Sequence, residues 1–405
     1  MRVLAIHNRY INRGGEDSVF ETETRMLRAN GFEVKELLFG PVDVSGPISA
    51  ACAALNGMWS QSAYRKVAGI CEDWKPDVAH VHNVFVSASP SILHACARRG
   101  VAVVMTLHNY RQTCVNGLLF RDGKTCVECL GKPVSVAGVR HGCYRDSTVQ
   151  SAAMASIVGI HKLFGTWSNQ VDHYIALSSF SRDVFLTAGL PADRISVKPN
   201  FIDRDPGQGD GAGGYALFAG RLADYKGVHV LLDACRILKG KWALKIAGAG
   251  PLEKEVKEFA AADPRVDYLG QLDSETTTKA MKSARFLVFP SVNFENFPMV
   301  IVESFSTGLP VLASQIGGLG SIVRHECNGL MFDCGDAESL AASMTRLFEM
   351  SSRQIESMRA EARSDYCCLY ATASNKQSLK AIYEQAIAHR RGAGVANPEP
   401  SVVHE

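Results

Sequence analysis

Two doubly wound, Rossmann-like α/β domains facing one another across a cleft are what this sequence predicts. Three observations lead there. Short, near-continuous apolar runs alternate with helix-length amphipathic segments along the whole chain, the pattern of parallel sheets covered on both faces. At 405 residues the chain exceeds what one ordinary core holds. A glycine-rich segment, 205–214, divides it near the middle.

In the first half, strands are expected at 2–7, 32–39, 78–83, 101–107, 173–177 and 195–198, with helices at 16–30, 90–99 and 179–188 among them. The second half repeats the scheme with strands at 215–219, 243–247, 266–269, 285–289, 311–313 and 330–332. The first domain is thus assigned to 1–200, with a cysteine-rich insertion at 110–146, and the second to 215–375. Residues 201–214 read as a flexible linker, since glycine repeats cannot pack a core. A final helix at 376–390 is placed to pack back across the junction, and 391–405 reads as a disordered tail. In such sheets ligands bind beyond the carboxyl ends of the strands.

Composition is that of a soluble globular protein, with 46% hydrophobic and 21% charged residues. No apolar run reaches the roughly 18–20 residues that span a bilayer. Residues 1–7 read as a first strand rather than a secretory signal, so a cytoplasmic location is expected. The net charge of +2 divides unevenly: residues 1–200 hold 21 Lys/Arg against 16 Asp/Glu, and the remainder 22 against 25. A basic first half is compatible with an anionic membrane surface as well as with ordinary surface composition. No nucleic-acid partner is expected.

Chemistry concentrates in three strand-end loops. Seven residues lie between Glu295 and Glu303. The first follows a strand-like run and the second sits about two turns into a helix, on the same side at ~1.5 Å rise per residue. The helix N-terminus between them offers amides and a positive dipole end for a phosphate. Acids for sugar hydroxyls beside amides for a phosphate suggest a sugar nucleotide. Arg221 and Lys226 follow the first strand of the second half, where both could reach phosphate oxygens; two solvated surface cations are the plain alternative. Gly248-Ala249-Gly250-Pro251 forms another tight strand-to-helix turn.

Taken in order, these motifs resemble the retaining GT-B glycosyltransferases of family 4, in the members that build bacterial polysaccharides. Gly220-Arg221 with Lys226-Gly227, Gly248-Ala249-Gly250-Pro251, Leu269-Gly270, Pro290-Ser291, Glu295 and Glu303, Gly308-Leu309-Pro310-Val311, Gly317-Gly318 and Asn328-Gly329 cover roughly 215–335. The first half matches more loosely, through Gly14-Gly15, Thr106-Leu107-His108, Leu177 to Ser181 and Lys198-Pro199-Asn200. The resemblance implies hexosyl transfer from a UDP- or GDP-sugar to a glycan or lipid-linked precursor at the inner face of the cytoplasmic membrane. Arg221 and Lys226 would neutralise the donor diphosphate, so that no catalytic metal is expected. Glu303 would hold the ribose and Glu295 the sugar. Asn296, Phe297 and Met299 would offer amides around Pro298, and Gly270, Gln271 and Leu272 would line the base pocket. Gly14 and Gly15 would let the backbone approach the diphosphate or acceptor, and His108 would stand near the donor sugar. His82, also at a strand end, is placed to sit on the cleft. One departure is the run Leu319-Gly320-Ser321-Ile322 after Gly317-Gly318, which lacks the Glu that the family usually has there.

The insertion carries Cys114, Cys126, Cys129 and Cys143, with eleven, two and thirteen residues between them. Structural zinc is one reading, with His141 as an alternative ligand; reduced thiols and a redox role are the others. The run 120–125 reads as a hairpin with an Asp-Gly turn. The apolar stretch 151–167 suits a core helix or one at a membrane surface near a lipid-linked acceptor. Other functions on this scaffold are a sugar-nucleotide epimerase, a phosphorylase, for which no pyridoxal-phosphate lysine site stands out, and a non-catalytic sugar-nucleotide binder. A nicotinamide oxidoreductase is disfavoured because no G-x-G-x-x-G follows the first strand.

Overall fold

The computed structural model describes residues 1–9, 14–40 and 47–392. Strands β1 (Arg2–Asn8), β2 (Glu33–Phe39), β3 (Val78–Val81) and β4 (Ala102–Thr106) are followed by a small hairpin of β5 (Phe120–Arg121) and β6 (Lys124–Thr125), then β7 (His173–Ala176) and β8 (Ile195–Val197). Six of them form a parallel sheet in the order β2-β1-β3-β4-β7-β8. The second half gives β9 (Ala216–Ala219), β10 (Leu244–Ala247), β11 (Val266–Gly270), β12 (Phe286–Phe289), β13 (Val311–Ser314) and β14 (Gly329–Phe332), parallel in the order β11-β10-β9-β12-β13-β14. Central strands such as β4 and β12 are buried along their whole length, which is why their sequences are unbroken apolar runs. In both sheets the order reverses beside the first strand, so a crevice opens there at the carboxyl edge.

The segment 205–214, expected as a flexible linker, is instead pinned along the second domain. The N–H groups of Gly209, Gly211 and Gly213 donate to the carbonyls of Thr307, Lys282 and Ser283 at 2.9, 2.9 and 2.8 Å. Asp205 pairs with Arg363, and the Arg359 guanidinium donates to Gly209 O at 2.5 Å. A Cβ on Gly209 would lie 2.2 Å from Lys282 O, so glycine here serves close backbone approach rather than flexibility.

Helix Thr372–Arg390 starts on the second domain and runs back over the first sheet. Its Leu379, Ile382, Tyr383 and Ala386 pack on Val3, Val78, Val104 and Ile175. The expected tail lies outside the described residues from 393 on. Where this helix crosses the sheet, Lys198 Nζ, buried, donates to Glu23 Oε2 and to Asn375 Oδ1, both at 3.0 Å. Burial alone would raise the Glu23 carboxyl, but the Lys198 ammonium, followed by His80 and His82, holds it well below its ordinary value.

A depressed carboxyl contributes stability that is present above the unfolded-state pKa and lost as pH falls through the folded one. Lys198→Met leaves that carboxylate buried without its partner. Chemical denaturation at neutral pH should show a loss of about 3–5 kcal/mol. The deficit should shrink as pH is lowered below the ordinary carboxylate range.

Candidate active site

The carboxyl ends of β9, β10 and β11 and one side of helix Met299–Ser306 enclose a cavity of about 630 Å³. Arg221, Gln271, Leu272, Val300 and Glu303 line it, with the backbone of Gly248 to Gly250 as its floor. Four of the residues singled out from sequence thus share one wall. Arg221 is exposed. Glu303 is half-buried, and burial raises its carboxyl above the ordinary value. A carboxylate kept at such a cost with no cation beside it, among the described residues, is suited to accepting hydrogen bonds from a ligand.

Lys226 and Glu295 do not line this cavity but meet beside it. Lys226 Nζ lies 2.7 Å from Glu295 Oε1, and Ser291 Oγ donates to the same oxygen at 2.7 Å. The Lys226 loop reaches that position because it is pressed against the end of β12. Gly227 has φ +70°, and a Cβ there would fall 1.8 Å from Pro290 O. Lys226 also stands 5.5 Å from the ring centre of Phe289. Sequence reading assigned the two charges to different parts of a donor. The fold makes them an ion pair.

Across the cleft, Asn296 Nδ2 donates to Leu107 O at 2.6 Å, and Ser178 Oγ to Asn296 O at 3.3 Å. His108 follows Leu107, half-buried, with Nε2 3.0 Å from His82 Nδ1. Gly14 and Gly15 open helix Gly15–Ala29, where Gly14 N–H donates to Asp17 Oδ2 at 2.9 Å. Among the described residues, a Cβ on either glycine would meet nothing within 4 Å. Glu16 Oε1 accepts from Asn109 Nδ2 at 2.8 Å, which sets this helix start beside the end of β4. Phe297 turns into the core, 6.0 Å from the Tyr370 ring. The Pro298 carbonyl receives the Ile301 N–H at 3.1 Å, and Met299 begins the helix. Gly270 O accepts from Gly248 N–H at 2.8 Å, joining the base-side loop to the cavity floor.

In the insertion, Cys114, Cys126, Cys129 and Cys143 all line one cavity of about 20 Å³, roughly the space of one water molecule. Among the described residues, no three of their Sγ atoms lie within 4.8 Å of one another. His141, held as an alternative ligand, does not line the cavity; it is exposed, 3.8 Å from Glu128. The hairpin β5–β6 turns at Asp122-Gly123, both at positive φ. Sequence reasoning did not single out Glu23 or Ser291 as site residues. Glu23 stands in no pattern of its own, and Ser291 appears only within the Pro290-Ser291 motif; tertiary contact reveals what each touches.

Two doubly wound parallel sheets, the second with a cavity at its carboxyl edge, make this a GT-B protein. The chain belongs to the glycosyltransferases of family 4, group 1: the model of Glycosyltransferase Family 4 matches residues 13–206 and that of Glycosyl transferases group 1 residues 213–350. Among curated relatives, D-rhamnosyltransferase WbpZ of Pseudomonas aeruginosa is 34% identical over 38% of this chain and 41% of its own. Phosphatidyl-myo-inositol mannosyltransferase of Mycobacterium leprae is 28% identical over 50% and 56%. The matched part of an uncharacterized glycosyltransferase of Methanocaldococcus jannaschii, 26% identical over 48% of this chain, is 54% of that protein. The chain thus spans about half or less of the curated relatives it matches. Solved structures agree over nearly the whole fold. HepE of Anabaena in complex with UDP gives a TM-score of 0.64 at 17% identity, covering 95% of this chain and 100% of that one. Sucrose-phosphate synthase of Thermosynechococcus elongatus gives 0.68 at 16%, covering 96% and 99%.

Because burial raises the Glu303 carboxyl, its charged form opposes folding once pH exceeds the unfolded-state pKa. Glu303→Gln should therefore raise Tm of the ligand-free protein at neutral pH. A lower Tm in differential scanning calorimetry would contradict the assignment of Glu303 as an unpaired acid.

Proposed function

We propose that the protein transfers a hexosyl group from a UDP- or GDP-sugar to a hydroxyl of a glycan or lipid-linked polysaccharide precursor, with retention at the anomeric carbon. The observation that carries this reading is the cavity shared by Arg221 and Glu303 beside the Lys226–Glu295 pair. A buried-edge carboxylate suits ribose hydroxyls, and two cations within one cleft suit a diphosphate. HepE, which shares the fold, has been solved with UDP-glucose.

In this scheme the bond between the anomeric carbon and the diphosphate oxygen breaks, and its electron pair goes to the diphosphate. Arg221 and Lys226 stabilise that charge, which makes a divalent ion unnecessary for the purpose. The acceptor oxygen bonds to the anomeric carbon on the face the diphosphate leaves, and its proton passes to the departing oxygen. Glu295, released from Lys226 as the diphosphate binds, anchors the sugar. Asn296, Met299 and the backbone of Gly14 and Gly15 are read as contacts to sugar and phosphate oxygens. Gly270, Gln271 and Leu272 flank the base.

The acceptor side is the first domain. Helix Thr148–Leu163 buries Met154, Ile157 and Val158 yet ends in Leu163 and Phe164, 83% and 71% exposed. Such a tip fits contact with a lipid surface or a lipid-linked acceptor. No helix among the described residues is long and apolar enough to cross a membrane. The four insertion cysteines are read as a structural zinc site, because four thiols surround a space of atomic size. Binding would draw their Sγ atoms together and staple the hairpin loop.

A panel of nucleotide sugars should contain one that raises Tm, by about 2.7 kcal/mol of stabilisation at a hundredfold excess over Kd. That donor should support transfer with retained configuration by NMR. Lys226→Ala should lower kcat about 100- to 1,000-fold with the fold intact. No stabilising nucleotide sugar, or wild-type turnover in Lys226→Ala, would overturn the reading. Metal analysis of protein purified without chelator should find about one zinc per chain, and Cys126→Ser should lose it. Zinc-free protein of full stability would reject the metal.

A further inference from the structure

A chain of polar contacts in the first domain leads from a buried charge to the cleft, and the donor site makes no use of it. Glu23, on helix Gly15–Ala29, is 1% exposed. Its Oε2 takes the Lys198 ammonium. Its Oε1 lies 3.0 Å from His80 Nδ1 and 3.3 Å from His82 Nε2. Oε1 makes no hydrogen bond that meets the geometric limits, so its attraction to the two rings is chiefly electrostatic. The other nitrogen of His82, Nδ1, is 3.0 Å from His108 Nε2, and the two rings stack at 5.2 Å and 18°. His80 is held separately, by Thr106 Oγ1 and the Tyr383 hydroxyl, each at 2.8 Å. His7 stands edge-on to His82 and is paired with Asp17 at 3.0 Å.

Glu23, His80 and His82 bring their ligand atoms within 4.8 Å of one another, as a metal site would. The Lys198 ammonium already supplies the positive charge there and would repel a second cation. The arrangement instead dictates hydrogens. An ionised carboxylate only accepts, so the His82 nitrogen facing Glu23 carries the proton. His82 Nδ1 is then a lone pair, and the hydrogen in its contact with His108 must come from His108 Nε2. Both rings stay neutral: burial, then the neighbouring His80, pushes His82 down to about 3, and burial also pushes His108 well below its ordinary value. A neutral imidazole carries one N–H, which leaves His108 Nδ1 as a bare acceptor. Among the described residues that nitrogen has no hydrogen-bond partner. It belongs to a side chain next to the Leu107–Asn296 bridge, on the opposite wall of the cleft from Glu295.

We propose that Glu23 and His82 are positioning residues that lock His108 in its Nε2–H tautomer, so that Nδ1 accepts a hydrogen bond from a sugar hydroxyl in the cleft. The sugar rests on the function proposed above; the tautomer does not. The consequence is a specificity rule. A sugar whose hydroxyl at that point is removed or methylated leaves a largely desolvated acceptor unpaired and is rejected.

Long-range 1H–15N spectra of the full chain labelled with 15N-histidine, with His108 assigned through His108→Gln, read the tautomer directly. Nε2 of His108 should be protonated and Nδ1 not. In His82→Phe the single tautomer should be lost, and kcat should fall at least about tenfold, as expected for one transition-state hydrogen bond. Affinity for UDP should be unchanged, because the nucleotide lies on the other domain. His82→Asn, whose amide oxygen can accept from His108 Nε2, should recover part of the rate. A proton on His108 Nδ1 in the wild type would overturn the proposal whether or not any nucleotide sugar binds. So would a wild-type kcat in His82→Phe. A donor that binds normally while Nδ1 is protonated would remove this inference and leave the proposed function standing.

Discussion

The side-chain amide of Asn296 joins the two halves of the molecule. By donating to Leu107 O at 2.6 Å, while the backbone carbonyl of the same residue accepts from Ser178 Oγ, it brings the carboxyl edges of two separate parallel sheets to one place. The rings of Phe294 and Phe180 meet beside it, tilted, with centroids 5.1 Å apart. Everything in the cleft is measured from this contact. Glu295 precedes Asn296 in the chain, and His108 follows Leu107, so this hydrogen bond links the segment that carries the Glu295 carboxylate to the one that carries the His108 imidazole. From the other end, the helix Thr372–Arg390 ties the second domain back to the first through Tyr383, Asn375 and Asp172.

Charge is handled in two ways in this fold. Glu23 is fully buried and is paired with Lys198 through Oε2, and exchange of that partner would leave a charge unpaired in a low dielectric. At the cleft the balance is looser. Glu295, partly exposed, accepts from both Lys226 and Ser291, and Glu303 has no cation beside it among the described residues. A polyanionic ligand with hydroxyls could take Lys226 and Arg221 with one end and Glu303 with the other. The contrast between a satisfied interior and an unsatisfied rim separates the scaffold from the working site.

Much of this was legible in the sequence. The strands of both sheets follow from apolar runs, because central parallel strands are buried on both faces and leave no polar alternation to confuse them. Arg221, Glu303 and the Gly248 turn were visible because a strand-end loop needs those residue types at fixed spacing. The linker misled for a physical reason: glycine repeats mean flexibility when solvated and close approach when packed, and only Lys282 and Thr307 decide between the two. Likewise, nothing in the spacing of Lys226 and Glu295 tells that they touch, since 69 positions separate them. Glu23 sits in an ordinary amphipathic helix, and its partners come from β3, the loop after it, the end of β8 and the C-terminal helix. A network gathered from so many elements leaves no local signature.

The account's central claim is that one nucleoside diphosphate sugar is held between Arg221, Lys226 and Glu303. A crystal structure of the protein with a non-hydrolysable nucleotide sugar tests it most directly. The claim predicts diphosphate oxygens within hydrogen-bonding distance of Arg221 and Lys226, ribose hydroxyls on Glu303, and the Lys226–Glu295 contact opened. A nucleotide bound away from that cavity, with the Lys226–Glu295 pair still closed, would contradict it.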